Sequence, residues 1–205
     1  MPDSAEVSPR PKTVPPKPAA SLVVLRDGAA VLMGMRGAGH RFMPNRLVFP
    51  GGRVDRADLR APAATPLPPK VRALVEKSAS PALAHGLAIA VARELAEETG
   101  LSLGTPPALD GLDYLCRAVT PPGLPIRFNA RFFVIDAARA RGTLAGSGEL
   151  EGLRFYPIAE ALALNLALAT RFVLDTLKLW LTLSPQERAA RTTTPLLHLR
   201  RGFTE

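Results

Sequence analysis

Three glutamates and an arginine near the middle of the chain have the residue types and the spacing of a metal site. Arg93 is followed by Glu94, Glu97 and Glu98, and all four fall in a segment of good helix formers between residues 81 and 99. On a helix the three carboxylates share one arc of about 100°. They repel one another there, and Arg93 cannot balance all three charges. Mg²⁺ prefers oxygen ligands, so the pattern fits a bound divalent cation or, alternatively, a solvated charged face.

The helix that carries these residues has well-marked ends and one apolar side. Ser80 followed by Pro81 predicts its N-terminus, and Gly100 supplies a left-handed residue at its end. Glu98 projects into the edge of the apolar side, where a carboxylate costs free energy unless a positive charge compensates it. The residues predicted to face the core at helical spacing are Leu87, Ala88, Val91 and Leu95.

Two stretches of sequence, FPGGRVD at residues 49–55 and RELAEETGL at residues 93–101, together resemble the two halves of the Nudix box. That box is a Gly, five residues, a Glu, seven residues, and then Arg-Glu-apolar-any-Glu-Glu-any-Gly-apolar. The second stretch matches it at every position. The resemblance implies an α/β/α Nudix sandwich, with a mixed β-sheet between helices. It also implies a Mg²⁺-dependent hydrolase that cleaves the diphosphate linkage of a nucleoside diphosphate derivative, with Mn²⁺ as a second candidate cation.

The chain departs from that pattern in two ways. The Glu expected six residues after Gly52 is Asp58, and 34 residues, instead of seven, separate Asp58 from Arg93. We interpret residues 59–80 as an insertion within the box, which can leave both ends in place because loop-closure entropy grows slowly with length. The insertion and the stretch from Arg41 to Asp55 resemble the acyl-coenzyme A diphosphatase branch, and coenzyme A or acyl-CoA is the slightly favoured substrate.

The resemblance assigns roles to particular residues. Glu97 and Glu98, with Glu94, would bind the metals and help to orient or deprotonate the attacking water. Arg93 would hold a carboxylate by charge-assisted hydrogen bonds. Gly51 and Gly52 would let the loop pass close to the helix, and Gly52 would contribute backbone to metal binding.

Other candidates depend on weaker patterns. Asp58 could reach the loop backbone or a metal-bound water, and Glu149 is either a further ligand or base or a turn acid. Three arginines on predicted strands or loops could meet a phosphate or could be surface charges; they are Arg36, Arg46 and Arg127. The three histidines are isolated, so a histidine-ligated metal is not expected.

The remaining chain predicts one α/β domain over residues 19–205, preceded by a disordered Pro-rich segment over residues 1–18. A hairpin turns at Asp27-Gly28. Strands are predicted at 46–49, 112–120, 127–135 and 152–157, and helices at 70–77, 158–163 and a last one at 170–183, which Ser184-Pro185 ends. Residues 196–203 form either an edge strand or a tail. Within the insertion, the apolar spacing of Val71, Leu74 and Val75 predicts a patch that covers the active site or a second subunit, or that packs on its own domain.

Composition limits the class of protein. The 205 residues are 47% hydrophobic, which is enough for a core. The single cysteine, Cys116, excludes an intrachain disulfide framework, and we expect it to be a buried structural thiol. A chain without disulfides fits a reducing compartment, which favours the cytoplasm. No apolar run reaches the length of a membrane span. The net charge of +8 is scattered, so we expect a small anionic substrate and not a nucleic acid. Two other functions stay open: a Nudix domain that binds nucleotide for regulation or scaffolding, and an RNA-end pyrophosphohydrolase. A homodimer is also possible.

Overall fold

The computed structural model describes residues 14–37 and 45–205. Its strands are β1 (Lys17–Arg26), β2 (Ala30–Arg36), β3 (Leu47–Val48), β4 (Gly51–Arg53), β5 (Leu101–Ser102), β6 (Asp113–Val119), β7 (Phe128–Asp136), β8 (Arg141–Gly142), β9 (Leu150–Pro157), β10 (Pro195–His198) and β11 (Arg201–Thr204). Its helices are α1 (Pro69–Glu76), α2 (Pro81–Thr99), α3 (Ile158–Ala163), α4 (Leu168–Thr182) and α5 (Pro185–Ala190), with a short 3-10 turn at Ala137–Arg139. None of the described helices is both long and apolar enough to cross a membrane.

One mixed sheet organises the described residues. Its strands run in the order β11-β10-β6-β7-β1-β2-β3, while β4 also pairs with β1 and β9 with β2. The pairs β1–β7 and β6–β10 are parallel, and the other pairs are antiparallel. A separate two-stranded sheet joins β5 to β8.

Helices cover both faces of this sheet, and β1 shows why. Successive side chains on a strand point to opposite faces, so Ala20, Leu22 and Val24 pack with α1 and α2 in one apolar cluster. Val23 and Leu25 point the other way and pack with α4 in a second cluster. This arrangement confirms the predicted α/β/α sandwich with a mixed sheet between helices.

The helix predicted over residues 81–99 is confirmed at both ends. The Ser80 hydroxyl accepts a hydrogen bond from the Leu83 amide at 3.3 Å, and Gly100 has a φ of 73°. The segment before it also folds close to expectation, because α1 (Pro69–Glu76) begins and ends one residue before the helix predicted over 70–77. Val71, Leu74 and Val75 are buried in the cluster that α2 completes, so this apolar patch packs on its own domain.

Several boundaries differ from the sequence-based expectations. Strand β1 begins at Lys17 and so includes the last two residues of the segment predicted to be disordered, because its pairing with β7 starts at Lys17. Residues 1–13 of that segment lie outside the described residues. The strand predicted at 46–49 is the shorter β3 (Leu47–Val48). It is followed by β4, which contains Gly51 and Gly52 and pairs with β1.

The C-terminal part of the chain has more regular structure than was predicted. The prediction that α4 is the last helix was wrong, because Ser184-Pro185 begins α5 instead of only ending α4. The Ser184 hydroxyl and the Glu187 carboxylate each accept a hydrogen bond from the other residue's backbone amide, which is a capping box. The predicted edge strand or tail is a hairpin of β10 and β11, and β10 continues the main sheet beside β6.

Candidate active site

The glycines of β4 bring the loop into direct contact with α2. A Cβ atom built on Gly52 would lie 2.2 Å from Oε1 of Glu94, and one built on Gly51 would lie 2.4 Å from the carbonyl oxygen of Ala20. Neither position has room for a side chain unless its neighbours move. The two halves of the motif are thus packed together, although 34 residues separate Asp58 from Arg93 in the sequence.

Glu98 is the buried member of the acidic set. It is 1% exposed, and its Oε2 accepts a hydrogen bond from the Gly51 amide at 2.8 Å. Burial raises the pKa of Glu98 to about 8; Glu94 and Glu149 add to the rise, whereas the Gly51 hydrogen bond and Arg36 oppose it. This carboxyl therefore keeps its proton near neutral pH unless a further positive charge approaches it.

Arg93 joins the loop to the helix. Its Nε and Nη2 each donate to the carboxylate of Asp58 at 3.1 Å, which is a bidentate pair. Nη1 donates to Glu94 at 2.8 Å and to Glu97 at 3.0 Å, and Nη2 also donates to the Arg53 carbonyl at 3.1 Å. The hydrogen bonds to Asp58 are the largest reason why the pKa of Arg93 lies well above its usual range.

Asp58 occupies the position where the motif has a glutamate. It is 3% exposed, and its Oδ2 accepts a hydrogen bond from the Asp55 amide at 2.8 Å as well as one from Arg93. The shorter aspartate therefore reaches the loop backbone and also binds the arginine of the helix.

Glu94 and Glu97 are the more accessible acids, with side chains that are 15% and 58% exposed. Burial is also the main reason why the pKa of Glu94 is raised, and Glu97 and Glu149 add to it, while Arg93 opposes the rise. Nη1 of Arg93 lies between Glu94 and Glu97 and is the positive charge that these two carboxylates share.

The acidic residues present suit a hard divalent cation in their chemistry. They offer carboxylate oxygens beside a backbone strand, and a bound cation would favour the ionised forms of Glu94 and Glu98, whose pKa values burial raises. Over residues 14–37 and 45–205 these acids are not gathered into a cluster of three that could hold a metal as they stand. Because Arg93 contacts Glu94 and Glu97, binding a cation to both would require these side chains to rearrange.

A cavity of about 630 Å³ opens beside these residues. At one end it is lined by Gly51, Gly52, Glu94, Glu97 and Glu149. Its other end lies against the ends of β6 and β7, the start of α4 and the tip of the β10–β11 hairpin, and is mainly apolar. The cavity therefore has an acidic end and an apolar end.

The three arginines proposed from sequence to meet phosphates have different surroundings. Arg36 lines the cavity, and its Nε has no hydrogen-bond partner among the described residues. Arg46 instead donates to the Asn165 carbonyl at 3.1 Å and is not part of the described cavity wall. Arg127 is 8% exposed and donates to the carbonyls of Thr120 and Val14, so the structure places it in the framework and not in the cavity.

Arg53 is a cavity residue that sequence reasoning missed. It follows Gly51-Gly52 directly, so the glycines that mark the loop could have indicated it. Cys116, predicted to be a buried structural thiol, is fully buried, and burial raises the pKa of its thiol well above the usual range.

Comparison with solved structures shows that the chain has the Nudix hydrolase fold. A NUDIX hydrolase from Alicyclobacillus acidocaldarius is similar over 82% of this chain and 96% of its own, with a TM-score of 0.62 and 24% identity. A MutT NUDIX hydrolase from Burkholderia pseudomallei covers 80% of this chain and 98% of its own, with a TM-score of 0.53 and 22% identity. The NUDIX domain of Shewanella oneidensis NrtR, complexed with ADP ribose, covers 82% and 90%, with a TM-score of 0.50 and 18% identity.

The other comparisons find no relatives. No protein-family model matches the sequence, and no curated protein matches it.

Proposed function

We propose that this protein is a Nudix-type hydrolase that uses Mg²⁺, or Mn²⁺, to cleave the diphosphate linkage of a nucleoside diphosphate derivative. One observation carries the proposal. Arg93 binds Asp58, Glu94 and Glu97 at once, while Glu98 binds the Gly51 amide, so both halves of the motif meet at the acidic end of a cavity. A helix with only a solvated charged face would not need a buried Glu98 held by a loop.

The structural comparisons support the class of substrate. The NrtR domain of the same fold is complexed with ADP ribose, which is a nucleoside diphosphate linked to a sugar. The cavity of about 630 Å³ is within the size range of small-molecule sites. Three arginines, Arg36, Arg53 and Arg200, line it and would attract a diphosphate.

Four groups would hold the metal: the carboxylates of Glu94, Glu97 and Glu98 and the backbone carbonyl of Gly52. When bound, a divalent cation neutralises phosphate charge and lowers the pKa of a coordinated water. Glu98 would lose its proton in favour of the cation, since metal ligation requires the ionised carboxylate. The Gly51 amide would keep Glu98 oriented through that change.

The other side chains have distinct tasks in this proposal. Arg93 fixes Asp58 and thereby the loop, and it is a positioning residue because it acts through these carboxylates. Glu97, the most exposed of the three glutamates, and Glu149, which lines the same end of the cavity, are the two candidates for accepting a proton from the attacking water. Arg46 and Arg127 have no part in the proposed site.

Coenzyme A and its acyl thioesters are the substrates that we favour within this class. The sequence resemblance to the acyl-coenzyme A diphosphatase branch supports them, and so does the mainly apolar character of the far end of the cavity.

A direct test is a screen of nucleoside diphosphate compounds in Mg²⁺, with the products identified by mass. It should include acyl-CoA, CoA, ADP-ribose, dinucleoside polyphosphates and capped or triphosphorylated RNA. Hydrolysis of a diphosphate bond in at least one small molecule, abolished by chelation, is the expected result. Tight nucleotide binding without turnover would favour a binding domain, and turnover of RNA ends alone would favour the RNA-end reading.

A further inference from the structure

We propose that the part of the cavity lined by the ends of β6 and β7, the start of α4 and the β10–β11 hairpin is an apolar compartment that binds an apolar chain or ring of the substrate. The inference rests on the proposed function, because the compartment continues directly from the acidic end of the same cavity. Such a compartment would make the protein select nucleoside diphosphate derivatives that carry an apolar group.

The floor of the compartment is a row of alanines on three neighbouring strands. Ala19 of β1 pairs with Ala130 of β7, and Ala130 pairs with Ala118 of β6; all three line the cavity. Farther along β1, the same face bears Val23 and Leu25, which pack in the cluster that α4 completes. The compartment thus lies where methyl groups replace the larger side chains that fill the rest of this face.

The walls are apolar and belong to different elements. They include Phe128 and Phe132 of β7, Val119 of β6, Leu197 of β10 and Leu168 of α4. A group enclosed here would exchange water for aliphatic and aromatic carbon. The hydrophobic effect would then favour an apolar group by about 25 cal/mol for each Å² removed from water.

The polar groups needed to read a nucleobase are scarce at this end. No asparagine, glutamine, aspartate, histidine or tyrosine occurs among the described residues that line the cavity, and the polar side chains that line this end are those of Thr120, Thr170 and Arg200. The Thr120 hydroxyl already accepts a hydrogen bond from the Phe128 amide at 3.0 Å. Strong selection of a hydrogen-bonding group requires buried polar partners, so this compartment favours apolar surface over a base edge.

The rim of the compartment has two large apolar side chains in addition to the exposed Arg200. Leu124 and Leu168 line the cavity and are 45% and 52% exposed. Large side chains of this kind around an opening are typical of a ligand groove. A chain longer than the compartment would lie against them as it leaves.

The test measures binding of ADP esters that carry methyl, butyl or octyl groups on the terminal phosphate. Affinity without Mg²⁺ is measured by calorimetry, and kcat/KM with Mg²⁺ is measured by product mass. We expect the dissociation constant to fall by roughly two- to fourfold for each added methylene until the compartment is full, as buried methylenes contribute about 0.8 kcal/mol each.

Two variants locate the effect. Ala130→Phe fills the floor and should remove at least three-quarters of the gain in affinity from methyl to octyl. Leu168→Asp places a charge at the rim of the compartment; it is exposed and stands at the first position of α4, where an acid is tolerated, so its fold is not at risk. Ala189→Phe makes the larger change at an exposed position of α5 and is the matched control.

Chain-length dependence that both cavity variants reduce, and that the control keeps, supports the compartment. An affinity that does not change from methyl to octyl overturns it, and so does a chain-length dependence that survives in both cavity variants. If affinity rises with chain length but no ester is hydrolysed, the compartment stands and the proposed hydrolase activity fails. If every ester is hydrolysed with equal affinity, the activity stands and the compartment fails.

Discussion

The two ends of the cavity are built in different ways. The acidic end is lined by residues of α2 and β4 and by Glu149, and the bidentate pair between Arg93 and Asp58 joins the helix to the loop. The apolar end is a juxtaposition of small side chains from β1, β6 and β7 under the start of α4. In the proposed function the chemistry takes place at the first end, whereas the second end offers shape and apolar surface. Changes at the acidic end should therefore affect turnover most strongly.

The largest expected effect is on turnover. Replacing Glu97 or Glu98 with Gln keeps the side-chain shape but removes a charge that would hold the cation. We expect kcat to fall on the order of 100-fold or more, by analogy with other electrostatic catalytic groups, with little change in circular dichroism. Glu151→Gln changes an exposed acid that is not among the residues lining the cavity; it is the control and should retain wild-type turnover. If both site variants stay within a few-fold of wild type at saturating Mg²⁺, the site assignment is wrong.

The next effect is on stability and isolates the role of Arg93. Arg93→Ala leaves Asp58 buried without its partner, and breaking a buried ion pair in this way costs about 3–5 kcal/mol. We expect the free energy of unfolding to fall by that order, measured by urea denaturation. Arg72→Ala removes an exposed pair with Glu76 and should cost less than about 1 kcal/mol.

Arg93→Lys sharpens the same comparison, because a lysine keeps the charge but cannot bind a carboxylate through two parallel hydrogen bonds. Its free energy of unfolding should lie between that of the wild type and that of Arg93→Ala. Equal stability of the alanine variant and wild type would contradict the view that Arg93 joins the loop to the helix.

A smaller effect concerns pH in the absence of metal. The pKa of Glu98 is about 8 in the folded protein against 4.5 as its ordinary value. Between these values the folded state holds a proton that the unfolded state has lost, so the free energy of unfolding should fall as pH rises from 4.5 through 8. Glu98→Gln stays neutral and should escape this loss. With a chelator, the variant should gain roughly 1–3 kcal/mol relative to wild type between pH 5 and pH 8.5.

That gain is read from urea denaturation of both proteins at the two pH values. No difference in pH dependence between wild type and variant would show that Glu98 is not the buried, protonated carboxyl described above.

The difference between the acidic and apolar ends of the cavity also explains which features the sequence predicts and which it does not. The helix Pro81–Thr99 and the burial of Glu98 follow from local signals, namely Ser80, Gly100 and the helical spacing of apolar residues. The pairing of Asp58 with Arg93 spans 35 positions, and the motif indicated only that Arg93 holds a carboxylate and that Asp58 can reach the loop backbone. Local pattern and motif together indicated the helix and its acids, but neither this pair nor Arg53.

The apolar end could not be predicted in that way. Its alanine floor depends on which strands are neighbours and in what register, and neither is encoded in any one segment. The same reason applies to Arg127, which resembled a phosphate ligand but binds the carbonyls of Thr120 and Val14. It applies also to β10, which pairs with β6 on one side and with β11 on the other.

The most direct test of the central claim is the effect of Mg²⁺ on the melting temperature of the wild type and of Glu98→Gln. A cation that binds only the folded state stabilises it by mass action, by about 2.7 kcal/mol at a hundredfold excess over its dissociation constant. We predict that Mg²⁺ raises the melting temperature of the wild type by several degrees and raises that of the variant clearly less, with Glu151→Gln following the wild type. Melting temperatures that are equally insensitive to Mg²⁺ in all three proteins would contradict a metal site formed by the glutamates of α2.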